Sequence, residues 1–69
     1  MVKVSREFKA RLKLAERPAY RIATEAGVNP STLSKIIHDA EPIQVGDERV
    51  LKVARVLGMS DHEAFESEA

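Results

Sequence analysis

A small apolar core has to stabilise this chain, because its 69 residues include no cysteine. Disulfides and thiolate zinc sites, which stabilise many small domains, are therefore excluded. A chain of this length buries only about 60% of the surface that its unfolded form exposes, so helix packing, with or without self-association, has to supply the stability. Hydrophobic residues make up 43% of the chain, which is typical of a globular protein. We expect one domain over residues 1–69, with residues 66–69 frayed.

The spacing of the apolar residues is helical along the chain, and no stretch alternates with the period of a strand. Ser5 is a suitable N-cap for a first helix whose apolar stripe contains Phe8, Leu12 and Ala15. Pro18 ends this helix or begins the next one, because proline is tolerated only in a first helical turn.

Turn residues divide the middle of the chain into two more helices. Gly27 is a left-handed C-cap for a second helix, and Asn29 is the N-cap of a third helix that begins at Pro30. The apolar faces of these two helices consist of Ile22, Ala23, Ala26, Leu33, Ile36 and Ile37.

A loop over residues 39–46 separates these helices from the last part of the chain. Asp47 caps or begins a fourth helix, which Gly58 ends. Ser60 and Glu63 form a capping box that begins a short fifth helix. The residues expected to face inward on the fourth and fifth helices are Val50, Leu51, Ala54, Leu57, Ala64 and Phe65, and Val53 and Val56 widen the apolar stripe of the fourth helix.

The chain has no net charge, with 11 basic and 11 acidic residues, but the charges are unevenly distributed. Residues 1–21 hold seven basic and two acidic side chains, whereas residues 22–48 hold one basic and five acidic side chains. Such a polarised molecule can bind phosphate with one face while another face stays acidic. From charge alone, a basic helix that only faces solvent is an equally good interpretation.

Residues 19–38 read AYRIATEAGVNPSTLSKIIH and predict two short helices joined by a tight turn at Gly27. Ala23 has to be small because the two helices cross there. The second helix is held against the first by Val28, Leu33 and Ile36. Its N-terminal end then projects from the core and can enter a DNA major groove, where its dipole favours phosphate. A helical hairpin that serves only packing is the alternative interpretation.

This segment resembles the helix-turn-helix of the phage repressor and Cro family, also called the xenobiotic-response-element type. The positions that match the packing positions of that family are Ile22, Ala23, Ala26, Gly27, Val28, Leu33 and Ile36. Residues 50–59, VLKVARVLGM, are similar to its fourth helix and the Leu-Gly that follows. The resemblance covers residues 6–65 and implies an all-α fold, a compact five-helix lambda-repressor-like DNA-binding domain.

The resemblance also implies sequence-specific binding to double-stranded DNA, with the 30–38 helix in the major groove. The positions implied to read base edges are Pro30, Ser31 and Lys35. The positions implied to contact the DNA backbone are Arg17, Tyr20, Arg21, Asn29, Thr32, Ser34 and His38. Ala23 and Gly27 are the structural residues of the turn.

The chain departs from the family on both sides of the helix pair. Ala19 stands where the family often has a glutamine that touches phosphate, so neighbouring residues have to provide that contact. Residues 37–40 read Ile-His-Asp-Ala, where the family often has a glutamate followed by a glycine. The acidic Asp39 and Glu41 would repel a nearby DNA backbone unless they point away.

Other classes of function are not indicated by the sequence. The two histidines, His38 and His62, have no metal-binding spacing, and no glycine-flanked serine or glycine-rich phosphate loop is present. No segment has the roughly 20 apolar residues of a membrane-spanning helix, and the N-terminal residues lack the apolar block of a secretory signal. We therefore predict a transcriptional regulator, most simply a repressor, that is cytoplasmic and nucleoid-associated. We expect it to be no enzyme and to use neither cofactor nor metal.

The expected partner is double-stranded DNA, bound by a homodimer that forms in solution or only on DNA. Met59, Phe65 or an exposed Val56 would provide the contacts between subunits. The alternative is an adaptor or antitoxin-type module that uses the same helical fold to bind another protein. The neutral overall charge and the acidic second half of the chain motivate this alternative.

Overall fold

The computed structural model describes residues 2–67 and contains four α-helices, a short 3₁₀ helix and a two-stranded antiparallel sheet. The strands are β1 (Val2–Val4) and β2 (Phe65–Ser67), and the 3₁₀ helix covers Asp61–Ala64. The α-helices are α1 (Arg6–Leu14), α2 (Ala19–Ala26), α3 (Pro30–Ile37) and α4 (Glu48–Val56).

The prediction of an all-α, five-helix lambda-repressor-like fold is wrong, because the two ends of the described chain pair as strands. Val4 lies opposite Phe65, and Val2 lies opposite Ser67. Phe65 is therefore in a strand and not in a fifth helix, which is reduced to the single 3₁₀ turn. Residues 66 and 67, which were expected to be frayed, belong to β2, while residues 68 and 69 lie outside the described residues.

The two strands were not predicted from the sequence, and the reason is physical. Three residues are too few to show a period-2 pattern, and the two strands come from opposite ends of the chain. A two-stranded sheet of this size is marginal by itself. It forms here because Val4 is buried in the core and because the amide of Ser5 donates to the carbonyl oxygen of Ala64 at 2.9 Å.

The predicted N-caps are confirmed. α1, α3 and α4 begin after Ser5, Asn29 and Asp47, and each of these side chains accepts a hydrogen bond from an amide in the first turn. Ser60 and Glu63 form the predicted capping box. These bonds satisfy amides that have no partner inside their own helix.

A residue with positive φ follows α2, α3 and α4 in each case. Gly27 (φ 76°) follows α2 and Gly58 (φ 73°) follows α4, both as predicted, whereas Asp39 (φ 58°) follows α3. The amide after each of these residues donates at 2.8 Å to a carbonyl near the end of the helix: Val28 to Ala23, Ala40 to Lys35 and Met59 to Ala54. This bond is the mark of a Schellman motif.

One apolar core lies beneath the helices and the sheet. Its largest fully buried side chains are Val4, Phe8, Ile22, Leu33, Ile36, Val50 and Val53. α2 packs against both α3 and α4, and Ala23 has no exposed surface. Burial of each large apolar side chain contributes on the order of 1.5–3 kcal/mol. The helices within residues 2–67 include none with the length and apolar character needed to cross a membrane.

Candidate nucleic-acid interface

α2 and α3 form a helix-turn-helix pair in which only Gly27, Val28 and Asn29 separate the helices. The Gly27 amide donates to the carbonyl oxygen of Thr24 at 3.1 Å, and Gly27 itself is left-handed. A Cβ atom on Gly27 would have no neighbour within 4 Å, so the backbone conformation and not the available space requires glycine. Val28 is buried, so the turn is attached to the core and the direction of α3 is fixed.

Asn29 and Pro30 determine where α3 begins. The Asn29 Oδ1 atom accepts a hydrogen bond from the Ser31 amide at 2.8 Å, and Pro30 occupies the first turn, where no amide is needed. The side-chain oxygen of Asn29 is therefore used by the helix itself. Its side-chain amide group is the part left to donate to a DNA phosphate.

The exposed side of α3 carries a continuous row of polar side chains. Leu33 and Ile36 are each 1% exposed and define the buried side of the helix. The α3 stripe, as we call the opposite side, consists of Ser31, Ser34, Lys35 and His38, all of them exposed. Their spacing of i, i+3, i+4 and i+7 places them on one helix face. Pro30 is exposed at the start of the stripe, and Thr32 is half-buried at its margin.

The predicted backbone contacts outside α3 differ from one another in their surroundings. Tyr20 is 65% exposed on α2, and Arg21 is exposed one residue later. Arg17, in contrast, forms an ion pair with the carboxylate of Glu25. Arg17 is therefore available to a phosphate only if it leaves Glu25.

Six exposed basic residues have no ion-pair partner within the part of the chain that the structure describes. They are Arg6 and Lys13 on α1, Arg21 on α2, Lys35 on α3, and Lys52 and Arg55 on α4. Of these, only Arg21 and Lys35 were singled out from the sequence as DNA contacts, because the other four lie outside the helix pair. Unpaired cations of this kind are suited to binding a polyanion.

The acidic connection between α3 and α4 is largely neutralised by basic side chains from other elements. The Lys9 Nζ atom lies 3.2 Å from Asp39 Oδ2. The Arg49 guanidinium lies 3.1 Å from Glu41 Oε2 and 2.8 Å from Asp47 Oδ2. Its hydrogen bonds hold the pKa of Asp47 below the ordinary range, and the two carboxylates raise the pKa of Arg49. The acidic residues that were expected to repel DNA are thus paired.

The end of α3 is held differently from the ends of α2 and α4. Val28 and Met59, which follow the two glycines, are buried, whereas Ala40, which follows Asp39, is exposed. The residue directly after Asp39 therefore provides no buried apolar anchor. The end of α3 is closed by backbone hydrogen bonds from Asp39 and Ala40, and the connection reaches the core only at Ile43, which is half-buried.

The residues expected to join two subunits are mostly covered. Met59 is buried, and Val56 and Phe65 are half-buried and pack against the core. The large apolar side chains that are exposed are Leu14, Tyr20 and Val45.

No family model, curated protein or solved structure matches the chain. Within residues 2–67, no three His, Asp or Glu side chains come together in a way that could hold a metal ion.

Proposed function

We propose that this protein binds double-stranded DNA sequence-specifically and regulates transcription, most simply as a repressor. The observation that carries the proposal is the α3 stripe, because it presents hydrogen-bonding side chains on a helix whose start and opposite face are fixed. A B-DNA major groove is about 12 Å wide and admits one α-helix, so α3 can lie in it with the stripe toward the base edges.

Base reading is assigned to the first part of α3. The Ser31 hydroxyl can donate to or accept from a base edge, and the Lys35 ammonium can donate to the O6 and N7 acceptors of guanine. Pro30 offers only an apolar contact, for which a thymine methyl group is the suitable partner.

Phosphate contacts are assigned to the surrounding side chains. Arg21 and Tyr20 on α2 provide them on one side of α3, and Ser34 and His38 provide them along the stripe. Asn29 contributes its side-chain amide, and Thr32 and Arg17 are the remaining candidates. Such contacts fix the register of the protein on DNA without reading the sequence.

The test is a titration of the protein against a mixed-sequence duplex at low salt, followed by selection of bound duplexes from a random pool. A DNA-binding protein shows affinity that falls steeply with salt, and the selected duplexes share a motif. A motif with mirror symmetry indicates a homodimer on DNA. Absence of binding to any duplex at low salt overturns the proposal.

A protein-binding adaptor or antitoxin-type module is the second candidate. It is favoured by Leu14, which is 82% exposed at the end of α1 and has no role in the proposed DNA contact. The titration separates an adaptor from the proposed regulator, because an adaptor does not bind the mixed-sequence duplex. An antitoxin-type module binds duplex as the regulator does, and it differs by also binding its protein partner.

A further inference from the structure

We propose that Lys9 and Asp39 form a charge-masking pair, in which Asp39 withholds the Lys9 ammonium from the DNA backbone and thereby limits sequence-independent affinity. This inference rests on the proposed DNA binding and adds a residue that sets the strength of the phosphate contacts. Neither residue belongs to the set that reads bases.

The position of Asp39 places the pair beside the proposed interface. Asp39 follows His38, the last residue of the α3 stripe, and its left-handed backbone turns the chain away from the helix axis. Its carboxylate holds the Lys9 ammonium at 3.2 Å, and the two side chains remain 44% and 33% exposed. A basic side chain from α1 is thus located at the end of the stripe, but with its charge cancelled.

The ion pair of Lys9 and Asp39 affects the attraction of DNA phosphates more than it affects the stability of the fold. An ion pair this exposed contributes little to folding, because water and salt screen it. The attraction of a DNA phosphate, however, depends on the sum of the two charges. With Asp39 ionised the pair adds nothing to the attraction, whereas a neutral residue at position 39 would release Lys9 to act together with Lys13, Arg21 and Lys35.

The charge balance of the whole connection supports this interpretation. Glu41 and Asp47 are paired with Arg49 on α4, which leaves Asp39 as the carboxylate of the connection whose partner comes from α1. Asp39 also occupies a backbone position that glycine would adopt more easily. The backbone at this position therefore does not itself require a carboxylate.

The experiment compares the salt dependence of binding to a mixed-sequence duplex for the wild type, Asp39→Asn, Lys9→Met and the double variant. Asparagine keeps the shape of aspartate and tolerates positive φ. We expect Asp39→Asn to bind about three- to tenfold more tightly near 0.1 M salt, with a log–log salt slope steeper by roughly one unit. Lys9→Met should bind more weakly than the wild type, and the double variant should return close to it.

Glu48→Gln is the matched control, because it removes the same charge from an exposed residue of α4 that has no ion-pair partner within residues 2–67. Its slope should equal that of the wild type. If the wild type binds duplex but Asp39→Asn leaves the slope unchanged, the masking role is overturned while DNA binding stands. If Asp39→Asn changes only the melting temperature, the pair is structural and the inference is likewise overturned. A wild type that binds no duplex overturns the proposed function itself.

Discussion

The Ser5 hydroxyl donates a hydrogen bond to the carbonyl oxygen of Glu63 at 2.6 Å, across almost the whole length of the chain. The Ser5 Oγ atom also accepts a hydrogen bond from the amide of Phe8 and so caps α1. Ser5 is 8% exposed, and among the described residues it is the one polar residue that is buried. One small side chain therefore links the start of α1 to the 3₁₀ helix and to the sheet beside it.

Replacement of Ser5 by alanine should lower the free energy of unfolding by about 1–2 kcal/mol, because it removes an N-cap and leaves the carbonyl oxygen of Glu63 with one partner fewer. Urea unfolding followed by circular dichroism measures the change. Ser34→Ala is the control, since Ser34 is exposed on α3 and should change stability by less than about 0.5 kcal/mol. Equal effects of the two variants would contradict the assigned role of Ser5.

Gly27→Ala should destabilise the protein by about 1–2 kcal/mol, because a Cβ atom is unfavourable at positive φ even where nothing obstructs it. Gly27→Asn should cost less, since asparagine enters the left-handed region more readily. Thermal unfolding of the two variants checks this order. An alanine variant as stable as the wild type would show that the turn between α2 and α3 does not need its left-handed residue.

At position 39 the informative substitution introduces a glycine, because Asp39 is a non-glycine residue in a left-handed conformation. Asp39→Gly should be at least as stable as the wild type, since relief of the backbone offsets the loss of an exposed ion pair. Asp39→Ala should be less stable than Asp39→Gly by about 1 kcal/mol, because both variants lose the ion pair but only alanine has a Cβ atom that is unfavourable at positive φ. Chemical denaturation of the wild type and the two variants measures their order of stability. An alanine variant more stable than the glycine variant would contradict the prediction.

The pH dependence of folding should include a contribution from Asp47. Hydrogen bonds from Arg49 hold the pKa of Asp47 below its ordinary value in the folded protein. Its stabilising contribution is therefore complete above about pH 4 and is lost as the pH falls further, through the lower pKa of the folded state.

Asp47→Asn is the informative variant, since asparagine still caps α4 but cannot form the ion pair. The difference in unfolding free energy between the wild type and this variant should be largest near neutral pH and should shrink in acid. Urea titrations between pH 2 and pH 7 measure it. Any acid dependence that remains in the variant is expected from groups such as Glu63, whose pKa is lowered by hydrogen bonds from Ser60. A difference that does not vary with pH would contradict the prediction.

For DNA binding, Lys35→Ala should reduce the preference for one base pair of the selected site by about 1–3 kcal/mol. Arg21→Ala should weaken binding to all sequences alike and flatten the salt slope by about one unit. Lys52→Ala removes the same charge from the exposed side of α4 and should leave both quantities unchanged. Competition titrations with single-base variants of the site measure these effects. α3 does not dock as proposed if Lys35→Ala binds every duplex as the wild type does.

The features that could be predicted from the sequence are those whose interactions lie within a few residues of one another. Ser5, Asn29 and Asp47 act on amides two or three residues away, and Gly27 acts on its own backbone, so a short window of sequence contains the full cause. The exposure of Ser31 and its neighbours along α3 follows in the same way from helical spacing.

What could not be predicted depends on residues that are distant in sequence. The pairing of β1 with β2 joins the two ends of the described chain, and Lys9 meets Asp39 from another helix. Arg49 is an ordinary helical residue in the sequence, and only the folded connection brings Glu41 within its reach. Neither propensity nor periodicity contains information about such pairs, because both describe one element at a time.

The absence of a buried residue after Asp39 has a consequence for solution conditions. The exits from α2 and α4 are fixed by water-excluded side chains, which dissolved ions hardly affect, whereas the exit from α3 lies beside the exposed ion pair of Lys9 and Asp39, which dissolved ions weaken. Ionic strength should thus act on this protein at two places, by competing for the DNA phosphates and by weakening the pair that cancels the charge of Lys9.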